Sequence, residues 1–227
     1  MQAVILAAGQ GTRLRPITYD IPKPLIRIAG KSLVEYNIER LPDEIDELIF
    51  VVGYLAPQII NHFGREFAGR KVNYVKQKKL LGTGHALSLC EDIVKDRFLV
   101  IMGDDIYGGD DIRRCLKYEQ CILTKEITGK FAGGRIKLNS SGHLKDIVEG
   151  IYSKGKSLVN TGLYVLTKKF FEYDLAPLKN KKEYGLPQTM VKMARDWPVK
   201  VERALFWLQI SDLASLKRAE KILKGNY

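Results

Sequence analysis

The apolar run Val4-Ile5-Leu6-Ala7-Ala8 stops abruptly at Gly9 and Gly11. Thr12, Arg13, Leu14 and Arg15 follow at once, and Lys23 stands before Pro24 after a short polar stretch. A strand that ends in two glycines can bring bare backbone N–H groups close to a ligand, because glycine has no Cβ to obstruct the approach. Arg13, Arg15 and Lys23 add fixed positive charge at the same place. The combination suits a triphosphate.

Two better-known phosphate loops are excluded by spacing. A dinucleotide fingerprint needs a third glycine opening the helix, and that position is Leu14. A Walker loop needs Gly-Lys-Ser/Thr, whereas Gly11 is followed by Thr12 and Arg13.

Along the chain, short β-like runs alternate with helical patterns, which predicts a mainly parallel sheet with helices on its faces. Strands are expected at 2–8, 47–52, 71–76 and 97–102. Helices are expected at 32–41, 56–63 and 84–94, the first capped by Ser32 with Glu35 at the capping-box position. The second half reads as a more antiparallel meander, with strands at 120–124, 133–138, 143–149 and 158–166. Helices near 168–173 and 186–196, a last strand at 199–205 and a closing helix at 212–223 complete the pattern.

With 227 residues the chain is long enough for one large α/β domain. Hydrophobic residues at 45% and charged residues at 28% are ordinary for a soluble globular protein. No apolar run approaches the ~20 residues of a membrane-spanning helix, and no basic segment precedes the first apolar run, so no signal peptide is expected. Cys90, Cys115 and Cys121 are odd in number and lack metal-ligand spacing, which reads as reduced thiols in a cytoplasmic protein. The formal charge of +11 suits polyanionic small substrates or nucleic acid. Much of it lies in lysine-rich stretches at 76–79, 179–182 and 217–224, without a recognisable RNA- or DNA-binding motif. A solvated basic surface is the expectation, with no nucleic-acid or membrane partner and with oligomerisation left open.

Three further constellations stand out. Gln77 precedes Gly82-Thr83-Gly84-His85, where open backbone groups beside an amide can read a pyrimidine edge, since the amide offers both a donor and an acceptor. His85 reads as a helix-packing residue. Asp104 and Asp105 follow the strand at 97–102, and a carboxylate beyond the carboxyl end of such a strand is well placed to hold Mg²⁺. Asp105 reads as a helix-cap or surface carboxylate. Gly134, Glu149 and Asn160-Thr161-Gly162 lie in the meander and bring a carboxylate and an amide capable of directional hydrogen bonds.

Leu6-Ala7-Ala8-Gly9-x-Gly11-Thr12-Arg13-Leu14 with Lys23-Pro24-Leu25 strongly resembles the signature of the sugar-1-phosphate nucleotidyltransferases. The resemblance implies a three-layer α/β fold, Rossmann-like and GT-A-like, with a mixed, mostly parallel central sheet. It covers 1–227 as a single catalytic domain without the C-terminal β-helix that several family members carry. It implies transfer of a nucleotidyl group from an NTP, UTP or dTTP favoured, to a sugar 1-phosphate with release of pyrophosphate, assisted by Mg²⁺. Arg13, Lys23 and Asp104 are then the catalytic residues. Leu6, Ala8, Gly9, Gly11, Thr12, Arg13, Gln77, Gly82 and Thr83 hold the nucleotide; Gly134, Glu149, Asn160 and Thr161 hold the sugar phosphate; Asp104 and Gln209 hold the metal.

The chain departs from the family pattern twice. Where many members place a lysine after the glutamate, it reads Glu149-Gly150-Ile151, with Lys154 and Lys156 in the next turn. Where many members place a second acidic metal ligand, it reads Trp207-Leu208-Gln209-Ile210-Ser211-Asp212, with Asp212 as cap of the final helix. These departures leave two alternatives open: a cytidylyltransferase acting on phosphocholine or inositol phosphate, and a non-catalytic regulatory protein that binds nucleotide sugars.

Overall fold

The computed structural model describes residues 1–179 and 182–225. A ten-stranded sheet crosses it in the order Leu144–Tyr152, Phe131–Leu138, Lys156–Thr167, Arg97–Met102, Gln2–Ala7, Glu47–Val52, Arg70–Lys76 and Glu66–Phe67. Cys121–Thr128 branches from it, pairing with Lys156–Thr167 and with Lys200–Arg203. The first strand is parallel to both of its neighbours, Glu47–Val52 and Arg97–Met102. Lys156–Thr167 then joins antiparallel to Arg97–Met102 and opens the meander. The sheet is therefore parallel at its centre and mixed beyond it.

The first strand sits in the middle because all six of its residues are buried, as a strand covered on both faces requires. Its side chains alternate between two cores. Ala3, Ile5 and Ala7 meet Val34, Ile38, Ile59 and Phe63 on one face, while Val4, Leu6 and Ala8 meet Ala86, Leu87, Met190 and Phe170 on the other. A third, smaller cluster gathers Leu14, Ile26, Ile28, Leu33, Ile106, Ile210 and Ala219 beneath the last helix, Leu213–Leu223.

The expected elements are present with shifted bounds. The capping box of Ser32 and Glu35 is formed, and its helix runs Leu33–Ile38. The helix expected at 84–94 begins earlier, at Gly82, and ends at Ser88, after which the chain turns. The segment near 168–173 is a 3-10 helix, Lys168–Glu172. The strand expected at 199–205 runs Lys200–Arg203 and pairs parallel with Cys121–Thr128, and a further short strand, Trp207–Leu208, follows it. The helix Gly109–Cys115, with Gly108 as N-cap and Asp110 and Asp111 in its first turn, is an addition to the expected elements. No helix among the described residues is long and apolar enough to cross a membrane.

Candidate active site

The carboxyl ends of the central strands carry the site. Beyond the first strand the chain turns through Gly9 and Gly11 into a short 3-10 helix, Thr12–Leu14. Gly11 has a φ of +61°, and a Cβ there would lie 3.0 Å from Lys23 Cβ and 3.1 Å from Thr18 Cγ2. Both facts favour glycine, because it reaches the left-handed region without strain and its missing Cβ lets the loop close over Lys23. Thr18 Oγ1 donates to the Gly11 carbonyl at 3.0 Å, and the Tyr54 hydroxyl lies 2.9 Å from the Thr18 carbonyl. Leu14 is fully buried and anchors the loop from below. Arg13 is exposed, and its guanidinium has no protein partner among the described residues.

Lys23 opens a 3-10 turn, Lys23–Leu25, braced by Pro22 and Pro24. The lysine is 7% exposed. Its Nζ lies 2.5 Å from Asp104 Oδ2. Asp104 stands just past Arg97–Met102, where the Gly103 N–H donates to the Leu6 carbonyl at 3.0 Å and ties the two strand ends together.

Asp105 corrects the expectation of a cap or surface carboxylate. It is buried, its Oδ2 accepting from Trp207 Nε1 and its Oδ1 from the Ile210 N–H, both at 3.1 Å. Burial pushes its carboxyl up to about 7, Asp104 adding to the rise and Lys23 opposing it. Trp207–Leu208 pairs antiparallel with Ile106–Tyr107. That pairing and the two bonds to Asp105 bring Gln209 to the strand end that carries Asp104.

Two cavities meet at this point. One, about 390 Å³, is lined by Leu6, Ala8, the glycine loop, Gln77, Gly82 and Thr83. The other, about 230 Å³, is lined by Asn160, Thr161, Gly162, Tyr164, Trp207 and Gln209. Arg13, Lys23, Thr83 and Asp104 line both.

Gly134 and Glu149 are paired residues on adjacent strands and line neither cavity. Glu149 Oε1 accepts from Gln188 Nε2 at 3.1 Å. The Thr161 hydroxyl donates to the Leu123 carbonyl, so Thr161 faces its cavity with that side-chain group already occupied. Asn160 Nδ2 donates to the Tyr164 hydroxyl, and its Oδ1 accepts from the Gly162 N–H. Lys156 is paired with Glu126 at 3.1 Å. Asp212 caps the final helix as the sequence indicates. Gln77 bonds to Gly82 and His85, and Gln188 to Glu149, with no sign of either in the sequence pattern. No local pattern announces a side-chain contact that depends on how a helix abuts a strand end.

Asp104 and Gln209 line one cavity, and their side chains carry carboxylate and amide oxygens. Mg²⁺ typically takes one or two carboxylates and completes its shell with waters and substrate phosphates, so this donor set fits. Among the described residues no group of three His, Cys, Asp or Glu side chains forms a closed metal cage.

A family model described as nucleotidyl transferase matches residues 2–224. The bifunctional protein GlmU of Methanocaldococcus jannaschii is 31% identical over 225 residues, 98% of this chain and 54% of its own length. This chain thus spans about half the length of that relative. The UTP–glucose-1-phosphate uridylyltransferase AglF of Haloferax volcanii is 32% identical over 204 residues, 86% of this chain and 84% of its own. The crystal structure of HddC from Yersinia pseudotuberculosis shares the fold, with a TM-score of 0.74 at 24% identity over 98% of this chain and 99% of its own. With the signature loop closed over Lys23 and a match across nearly its whole length, the chain belongs to the nucleotidyl transferase family, among the sugar-1-phosphate nucleotidyltransferases.

Proposed function

We propose that this chain transfers a nucleotidyl group from UTP or dTTP to a sugar 1-phosphate, releasing pyrophosphate and forming a nucleotide sugar. The observation that carries the reading is that Arg13, Lys23 and Asp104 line both cavities. The larger cavity takes the nucleotide and the smaller one the acceptor, so the three residues stand where the two substrates meet. The uridylyltransferase named among the relatives supports uridine.

A phosphate oxygen of the acceptor attacks the α-phosphorus in line, the bond to the bridging oxygen breaks, and pyrophosphate departs. Two anions must approach, so the barrier is largely electrostatic and positional. Backbone N–H groups of residues 9–13 and the Arg13 guanidinium hold the β- and γ-phosphates. Lys23, already stripped of water, neutralises charge at the α-phosphate. Asp104 and Gln209 would hold Mg²⁺, which would supply positive charge against the phosphates and the departing pyrophosphate. Gln77, Gly82 and Thr83 border the base, and Asn160 borders the sugar.

Pyrophosphate release with Mg²⁺ across UTP, dTTP, CTP, ATP and GTP tests the proposal. The acceptor panel includes phosphocholine and inositol phosphate, because Gly150 stands where many family members have a lysine and Lys156 is committed to Glu126. Release that requires UTP or dTTP and one sugar 1-phosphate is the expected result. Release with CTP and a phospho-alcohol alone, or nucleotide-sugar binding without any release, overturns it.

A further inference from the structure

We propose that His85 is a positioning residue that, through Gln77, turns the base subsite into a hydrogen-bond acceptor. The site thereby selects nucleotides whose ring nitrogen carries a proton (uracil, thymine or guanine) over those whose matching nitrogen is bare (cytosine or adenine). The inference rests on the nucleotide occupying the larger cavity as proposed above.

Gln77 is 4% exposed and lines that cavity. Its Nε2 donates to the Gly82 carbonyl at 3.1 Å. A carbonyl oxygen can only accept, so this contact fixes which end of the amide points inward. The same nitrogen lies 3.0 Å from His85 Nδ1. Facing a donor, Nδ1 accepts, which places the imidazole proton on Nε2. Both amide hydrogens of Gln77 are therefore used within the protein. Its Oε1 has no hydrogen-bond partner among the described residues and is not among the sealed, unsatisfied atoms.

The consequence is chemical. A freely turning amide reads cytosine or adenine by donating to the bare ring nitrogen while accepting from the adjacent amino group. The held amide has no hydrogen left to donate, so the bare nitrogen goes unpaired beside an acceptor. Uracil, thymine and guanine instead offer a ring N–H to Oε1. By its chemistry alone the Gln77 amide offers both a donor and an acceptor, and His85 could serve packing alone. The two hydrogen bonds leave only the acceptor, and they depend on His85.

The test measures equilibrium binding of UTP, dTTP, GTP, CTP and ATP by calorimetry to the wild-type protein and to His85→Phe and His85→Asn. Phenylalanine fills the space without an acceptor, whereas the asparagine carbonyl can replace Nδ1. The wild type is expected to bind its best ring-N–H nucleotide at least about tenfold more tightly than CTP or ATP, the scale of one unpaired buried polar group. His85→Phe should bring that ratio to within about threefold of one, and His85→Asn should restore it. A ratio unchanged in His85→Phe, or a wild type that prefers CTP or ATP, overturns the proposal. Should His85→Phe fail to fold, the wild type is titrated with its tightest nucleotide methylated at the ring nitrogen, and undiminished binding overturns the proposal equally. Discrimination in binding without turnover leaves this inference standing and removes the transferase reading. Turnover without discrimination does the reverse.

Discussion

Lys23 and Asp104 form an ion pair, Nζ to Oδ2 at 2.5 Å, where the two cavities of the site join. The partners are unequally buried, the lysine side chain being 9% exposed and the aspartate 38%. Removing Lys23 releases a carboxylate that water can reach. Removing Asp104 strands an ammonium group that water can scarcely reach, and an uncompensated buried charge is the costlier defect. Asp104→Ala should therefore lower the urea midpoint more than Lys23→Ala, by about 1–3 kcal/mol in unfolding free energy. Both variants should lose roughly 10²–10³-fold or more in turnover, the usual cost of one charge-stabilising contact. Parallel urea titrations and initial rates check the order. Equal midpoints would mean that the cavity hydrates Lys23 unaided.

Gly11→Ala tests the loop without touching a charge. The new Cβ meets Lys23 Cβ at 3.0 Å, and the backbone must hold φ at +61°. The left-handed conformation costs roughly 1–2 kcal/mol for an alanine. Displacement of Lys23 should lower kcat/KM by about 10²-fold. A crystal structure of the variant with Lys23 unmoved and kinetics like the wild type would disprove the role assigned to Gly11.

The glycine-loop end of the site was legible because it is local. Gly9 to Leu14 form one continuous turn, and Lys23 is fixed by prolines on either side. The strand at 97–102 was legible from its apolar run, and Asp104 follows from where it ends. Asp105 was misread because its partners, Trp207 and Ile210, lie more than a hundred residues away and join it only through the pairing of Trp207–Leu208 with Ile106–Tyr107. The surroundings of Glu149 were blurred for the same reason. Glu149 sits beside Gln188 because a helix packs across the meander, a relation that β periodicity does not encode.

Gln209 gives a metal dependence to measure. As an amide it brings one oxygen and no charge to the cavity that holds Asp104. Gln209→Asp adds a carboxylate, the harder and more strongly attracting ligand for Mg²⁺. The Mg²⁺ concentration for half-maximal pyrophosphate release should fall in Gln209→Asp. It should rise in Asp105→Asn, whose amide faces the Trp207 and Ile210 donors with one acceptor fewer and loosens the segment that carries Gln209. An unchanged Mg²⁺ requirement in both variants would remove Gln209 from the proposed metal site.

The final helix couples stability to the site through its cap. Asp212 Oδ1 accepts from the Ser215 N–H at 2.8 Å, and Ser215 Oγ accepts from the Asp212 N–H at 2.9 Å. The Ser215 backbone bond, then its hydroxyl, hold the Asp212 carboxyl below the usual carboxylate range. A depressed folded-state pKa means that the cap's contribution is fully present above the unfolded value, near 3.9, and is lost as pH falls through the lower folded value. The difference in urea midpoint between the wild type and Asp212→Ala should thus stay constant from pH 8 to 5 and shrink below about pH 4. The helix covers the cluster that contains Leu14, so fraying it should also weaken NTP binding at the loop above. A gap that instead narrows between pH 8 and 5 would show that a different titrating group, and not the Asp212 carboxylate, controls the end of this helix.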